Sequence, residues 1–245
     1  MLCFVGMEEN LLNIAEAAEF LGVSIDTLRR WDKSGKLLAI RKEGGTHRYY
    51  HQADLNLFAG DIQKTAYEWA KDGGDLSSQF YCANSSVFQG RISKLETFLA
   101  ATDGLEKLGF LITAAASEIG DNSFAHNLGK WPDTAGIFFG YDLAKRRIVL
   151  ADRGVGILAT LRQVRPQLAS HLEAVQVAFT EVVSGRAPEA RGNGLKFVRK
   201  VILENKINLY FKNGDAEVRV DTEKGELRFT RGAETIRGCF AVIMY

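Results

Sequence analysis

Apolar residues at Ile14, Ala17, Ala18 and Leu21 recur at three- and four-residue steps, the spacing of one helix face. Gly22 stands where such a helix would stop, and Ser24 offers an N-cap for a second helix, Ile25 to Asp32, with Leu28 and Trp31 facing inward. Ser34-Gly35 breaks that helix. Leu38 to Arg41 and His47 to Tyr50 predict two short strands about a Glu43-Gly44-Gly45-Thr46 turn, followed by a helix over Gln52 to Phe58. Ile62 to Lys71 continues as a polar helix and Asp72-Gly73-Gly74-Asp75 punctuates the chain, which places a domain boundary between Gly60 and Asp75.

Beyond it, helical periodicity covers Gly90 to Ala100, Leu105 to Asn127 and the stretches on either side of Gly192. Alternating or continuous apolar runs predict strands at Ala135 to Tyr141, Arg147 to Ala151, Ile207 to Lys212, Ala216 to Asp221, Gly225 to Arg231 and Cys239 to Met244. Helices interleaved with hairpin-spaced strands imply an α+β class, a mixed and largely antiparallel sheet with helices on one face. The expected division is a helix-and-hairpin domain over 1–60, a helical linker over 61–90 and an α/β sandwich over 91–245.

Composition narrows the class. Hydrophobic residues at 46% and charged residues at 25% exclude a disordered or fibrous chain of the 245 residues. The longest apolar stretches, near Phe110 to Ala116 and Gly238 to Tyr245, fall short of the ~20 residues that span a bilayer. No basic segment precedes a hydrophobic run at the start, so no secretory signal is expected, and Met7 offers a second plausible start. Cys3, Cys82 and Cys239 lie scattered without Cys-x-x-Cys spacing, which suits a reducing cytoplasm rather than a disulfide scaffold or zinc site. Net charge is only +1, yet Ser24 to Gln52 holds seven Lys/Arg against three Asp/Glu. The rest of the chain holds 24 basic and 27 acidic residues.

That basic stretch has the parts of a duplex-DNA reader. The second helix fits a major groove, with Asp26, Thr27, Arg29 and Arg30 exposed toward base edges or phosphates. Lys36, Arg41, Lys42, His47 and Arg48 lie on or beside a hairpin that would straddle backbone phosphates. Asn13-Ile14-Ala15-Glu16-Ala17-Ala18, Gly22-Val23-Ser24, Thr27-Leu28-Arg29-Arg30-Trp31 and Gly44-Gly45-Thr46-His47-Arg48-Tyr49-Tyr50 closely resemble the MerR-type winged helix-turn-helix, nearest to its excisionase and phage-repressor relatives. The resemblance implies double-stranded DNA as partner, Arg29 and Arg30 on the recognition helix, and Arg41, His47, Arg48 and Tyr49 in the wing. It also implies a homodimer, although Ile62 to Lys71 is too short for the long dimerisation helix of full-length MerR regulators.

The second half holds three short polar motifs. Glu118, Asn122 and His126 are four apart, and each step turns a helix by roughly 400°, so the three share a face. An acid beside an amide can activate a water and hold magnesium through oxygen. Asp152 at a strand end can accept a hydrogen bond from an adenine amino group, while Gly154 and Gly156 permit close backbone approach. Arg191-Gly192-Asn193-Gly194-Leu195 opens a helix whose bare amides suit phosphates, with Ser184 to Arg191 as a mobile lid. No Gly-x-x-x-x-Gly-Lys-Ser/Thr loop occurs, which excludes a P-loop. Gly154-x-Gly156-x-x-Ala159 also suggests a dinucleotide fingerprint, but Gln167 to Thr180 reads as helix where that fold needs a parallel strand.

Glu118-Ile-Gly-Asp-Asn122-Ser-Phe-Ala-His126, Asp152-Arg-Gly154-Val-Gly156 and Gly192-Asn-Gly194-Leu195 resemble the N, G1 and shortened G2 boxes of the GHKL ATPase superfamily (gyrase, heat-shock chaperone, histidine kinase, MutL), over about Arg91 to Tyr245. The resemblance implies a Bergerat-type sandwich binding ATP and Mg2+. Glu118 would then be the general base, Asn122 the magnesium ligand and Asp152 the adenine reader. Gly192 and Gly194 would line the phosphates, with His126, Arg191 and Leu195 in the matching motifs. Gly238-Cys239 departs from the usual Gly-Thr of the last strand and removes a hydroxyl near the adenine.

Three functions follow as expectations. The first is a cytoplasmic transcriptional regulator whose DNA affinity or assembly is switched by Mg-ATP. The second is a GHKL ATPase or a serine/threonine kinase of the anti-sigma-factor type acting on a protein partner. The third is a degenerate GHKL scaffold for protein docking. No His-Glu-x-x-x-Pro phosphoacceptor is present, since His171 is followed by Leu-Glu-Ala.

Overall fold

A computed structural model describes residues 11–21, 23–33, 37–41, 44–52, 54–55, 62–181 and 193–245. The Gly22 helix stop, the Ser34-Gly35 break, Lys36, Lys42, most of the 52–58 helix, the 184–191 lid and the site residues Arg191 and Gly192 lie outside the described residues. The chain divides into two compact units, 1–65 and 66–245.

In the first unit, β1 (Leu11–Asn13) leads into α1 (Ile14–Leu21), then α2 (Ile25–Lys33) and β2 (Tyr49–His51). Asn13 starts α1 because its side chain accepts the Ala15 and Glu16 amides while Glu16 accepts the Asn13 amide, a reciprocal cap. Ser24 caps α2 as expected, taking the Thr27 amide at 3.1 Å. Leu11 to Asn13 adds a strand that periodicity did not suggest, paired antiparallel to β2. Among the described residues, Ile40 and Tyr49 pair as an antiparallel bridge where the hairpin was expected. Ala17, Ala18, Leu28, Leu37, Tyr50 and Leu55 form the buried core, with Trp31 only partly buried against it.

The polar anchor of this unit is Asp32, 9% exposed. Its carboxylate accepts the Ala39 amide at 3.0 Å, the Arg41 guanidinium at 2.6 Å and the Arg48 guanidinium at 2.7 Å. Burial alone would raise its pKa, but the three donors outweigh burial and hold it below the ordinary carboxylate value.

In the second unit, α3 (Ile62–Asp72) precedes β3 (Tyr81–Cys82), α4 (Ser85–Ala100), α5 (Leu108–Asn127), β4 (Ile137–Asp142), β5 (Arg147–Asp152), α6 (Gly156–Leu161), α7 (His171–Thr180), α8 (Gly194–Glu204), β6 (Asn208–Asn213), β7 (Ala216–Asp221), β8 (Glu226–Arg231) and β9 (Cys239–Met244). The first turn of α3 belongs to the first unit and its remainder to the second. Residues 61–90, expected as a helical linker, thus hold α3, β3 and the first turn of α4.

The seven strands run β3-β4-β5-β9-β6-β7-β8, every neighbouring pair antiparallel. This is an α+β arrangement with a large antiparallel sheet, and among the described residues no parallel strand follows α6. Alternate residues such as Phe139, Leu150, Phe211, Ala241 and Ile243 meet α4, α5, α7 and α8 in one core. The other face is not bare, contrary to the expectation of helices on one side. Tyr67 of α3 meets Phe240 edge-on at 5.3 Å, and Tyr210 joins the same ring. No helix among the described residues is long and apolar enough to cross a membrane.

Two outcomes follow. Phe88, fully buried and edge-on to Phe139 at 5.2 Å, sits between α4 and the sheet. Phe88→Ala should lower stability by about 3–5 kcal/mol in a urea melt of the second unit. For Asp32, the depressed folded pKa makes its contribution fully present above the unfolded value of about 3.9 and lost as pH falls through the folded one. Acid titration of the first unit, followed by circular dichroism, should show destabilisation beginning near pH 4. Asp32→Asn should remove that component.

Candidate functional site

On the first unit, α2 turns Arg29 and Arg30 to solvent. Arg29 pairs with the exposed Asp26 at 2.9 Å, a contact that solvent weakens. Thr27 is half-buried and its hydroxyl faces Ser24 at 2.9 Å, so it supports the helix start. Arg41 and Arg48 both turn guanidinium hydrogens inward to Asp32, with side chains 45% and 30% exposed. They tie the segment after α2 to the strand region at Tyr49, leaving their outer edges toward solvent. His47 is exposed and Tyr49 half-buried in β2. The arrangement presents a helix with unburied arginines beside a basic hairpin.

In the second unit, α5 is apolar on most sides because it is wedged between the sheet and two helices, and its polar residues collect at one end. Glu118 and Asn122 share a face, as their spacing predicts. Gly194, the first residue of α8, lies directly against them: a Cβ there would stand 2.5 Å from Glu118 Oε2 and 2.9 Å from Asn122 Nδ2. The two motifs, more than seventy residues apart, therefore meet. Burial and then the nearby Asp121 raise the Glu118 pKa, which suits a proton acceptor poised closer to neutrality. The start of α8 has no side-chain cap at Asn193, and Leu195 packs against the core. His126 is half-buried one turn beyond Asn122.

Asp152 ends β5 at 2% exposure, one residue along α5 from Asn122 through its partner Ser123. Ser123 Oγ donates to Asp152 Oδ2 and the Gly154 amide donates to Oδ1, each at 2.7 Å. Burial raises the Asp152 pKa, and these donors with Cys239 only partly offset it. Cys239 takes the place where a hydroxyl was expected; its thiol receives Asn213 Nδ2 at 3.1 Å, and burial followed by Asp152 pushes its pKa well up. The recess between Ser123, Asp152, Cys239 and the neighbouring apolar side chains is too narrow for a water molecule.

The glycines of this loop answer to the protein itself. A side chain at Gly154 would collide with Asn127, and Gly156 has a left-handed φ of 79° that starts α6. Asn127 Oδ1 accepts the Val155 amide at 2.8 Å and Asn213 Oδ1 accepts the Ile157 amide at 3.1 Å. Both asparagines are buried. Sequence reasoning missed Ser123, Asn127 and Asn213; the four-residue step from Ser123 to Asn127 was the available signal. Arg153 was missed as well. It is 6% exposed and points away from Asp152 toward Asp133 and the end of α3. No group of three His, Cys, Asp or Glu among the described residues could hold a metal ion, so a cation near Asn122 would draw on amide and carboxylate oxygen alone.

Comparison with known proteins supports the first unit. The family "MerR family regulatory protein" matches residues 13–50. The chain is 44% identical over 59 residues, 24% of its length and 22% of the relative's, to "Transcriptional repressor DcmR" of Methylorubrum extorquens. It is 39% identical over 54 residues, 22% of its length and 13% of the relative's, to "Type II methyltransferase M.Eco47II" of Escherichia coli. The chain thus spans less than a quarter of either relative. No solved structure matches. Residues 13–50 are a MerR-family helix-turn-helix domain, joined to an α+β unit built on a seven-stranded antiparallel sheet.

Proposed function

We propose that this protein is a DNA-binding transcriptional regulator whose α+β unit is a GHKL-type module of Bergerat fold, binding Mg-ATP to switch DNA affinity or assembly. The DNA half of the reading rests on the MerR-family domain and on Arg29 and Arg30, both exposed on α2. Positive charge there neutralises phosphate and releases counterions, while the hairpin fixes register. The similarity to a transcriptional repressor agrees with a regulatory role.

The nucleotide half rests on one observation, the meeting of Gly194 with Glu118 and Asn122. A side chain at that position would occupy the space, and the start of α8, where Asn193 makes no side-chain cap, lies beside the same two residues. Asn122 and Glu118 would hold the magnesium, which would neutralise phosphate charge. Asp152 would accept the adenine amino group. Its donors already occupy the carboxylate and the recess beside it is closed, so adenine enters as the Asp152 loop shifts. The raised Glu118 pKa favours a second use of the same pocket, in which Glu118 deprotonates a water or a protein hydroxyl for γ-phosphoryl transfer.

Two measurements test the two halves. With a random-sequence duplex as probe, anisotropy titrations over a salt series should give a steep salt slope, and Arg30→Ala should flatten it by about one. A wild-type chain with no salt-dependent binding overturns the regulator reading. In thermal melts, Mg-ATP at 100 times its dissociation constant should stabilise the chain by about 2.7 kcal/mol. Asn122→Ala and Asp152→Asn should each lose that gain; a wild-type melt unmoved by Mg-ATP removes the nucleotide reading.

A further inference from the structure

Asp152 and Arg153 are consecutive residues whose side chains leave the end of β5 in different directions. Asp152 turns to Ser123 on α5, the side of the candidate nucleotide pocket. Arg153 turns to α3. Its Nη1 donates to the carbonyls of Trp69 at 2.9 Å and Ala70 at 2.8 Å, in the last turn of the helix, where the Trp69 carbonyl also accepts the Gly73 amide at 2.9 Å. Its Nη2 and Nε donate to Asp133 at 2.7 Å and 3.1 Å. The Arg153 guanidinium holds the Asp133 carboxyl below its ordinary pKa despite partial burial.

The second segment beside Asp152 repeats the design. A side chain at Gly238 would strike the Asp152 carbonyl and carboxylate, and the preceding Arg237 reaches the same Asp133 oxygen at 2.8 Å. Glu234, in the same loop, accepts Tyr67 Oη at 2.9 Å and Lys71 Nζ at 2.6 Å from α3. Both of these segments, Asp152-Arg153 and the Glu234 to Gly238 loop, therefore also grip α3.

We infer that Arg153 is a positioning residue that couples the Asp152 loop to the C-terminal end of α3. The reasoning is geometric. The Asp152 loop cannot shift freely, since Asn127 and Asn213 tie its amides on one side. A displacement that admits a ligand must then pass along the backbone to the adjacent residue, whose buried guanidinium has five donors in a rigid fork and holds both α3 and Asp133. Arg153 reads a shift on one side of the strand end and changes the hold on α3 at the other. This deepens the nucleotide reading, resting on the Asp152 loop as the ligand-facing element.

Hydrogen exchange by mass spectrometry on the full chain tests it, following residues 150–158 and residues 66–73. Two perturbations are applied, Mg-ATP and, without nucleotide, Asp152→Asn. Each should alter exchange in both segments, the α3 segment by about tenfold, the scale of one lost charge-assisted hydrogen bond. In an Arg153→Gln background the 150–158 response should remain and the 66–73 response should vanish; Arg153→Lys, which keeps charge and a donor, should restore part of it. Asp133→Asn loosens the guanidinium from its other side and should give the Arg153→Gln result in a chain that retains Arg153. A 66–73 segment that ignores both perturbations, or that responds equally without Arg153, overturns the coupling. If Mg-ATP leaves 150–158 unchanged while Asp152→Asn shifts both segments, the nucleotide reading fails and the coupling stands.

Discussion

A carboxylate removed from water must be met by donors, and in this protein Asp152 is the group around which the second unit is arranged. Ser123 and the Gly154 amide supply hydrogen bonds from two directions. That demand draws the end of α5 against the end of β5 and fixes the sharp turn into α6. Asn127 and Asn213 then satisfy the next amides of the turn, each buried and each donating its own amide hydrogens to backbone carbonyls. A half-satisfied network of this kind would be costly in a low-dielectric interior, which explains why the loop is so completely tied.

The first unit solves a similar problem at smaller scale. Asp32 is buried at the end of α2 and gathers Ala39, Arg41 and Arg48. A buried ion network thus adds its restraint to the packing of this small core. The same arginines that sequence reading assigned to phosphate contact therefore also hold the hairpin on the helix. A guanidinium can do both, because its five hydrogens lie in a plane and only the inner edge faces Asp32.

Both units place charge where chain segments converge. In the second unit the convergence point is Asp133, shared by Arg153 and Arg237, with Glu234 beside it on Tyr67 and Lys71. These contacts settle α3 on the sheet face that carries Phe240 and Tyr210, and they do so from two segments adjacent to Asp152. Rigid strands on one side and a short ion network on the other make that strand end a natural place for a local change to be felt at a distance.

Much of the architecture could be read from the chain alone. The period of apolar residues located α1, α2, α5 and α7 and six strands, several to within a residue, because burial on one face imposes that period directly. Residues 13–50 carried their family in local spacing, since a small domain with two short helices has few ways to arrange its turns. The four-residue step likewise placed Glu118 and Asn122 on one face without coordinates. Tertiary structure alone decided the rest. That β9, the last strand, lies between β5 and β6 near the centre of the sheet depends on pairing across long separations, which no local period encodes. That Gly154 is needed to clear Asn127, that Asp32 is buried, and that Arg153 faces α3 follow from which side chains meet. Periodicity tells which face of an element avoids water; only the packed chain determines what that face touches.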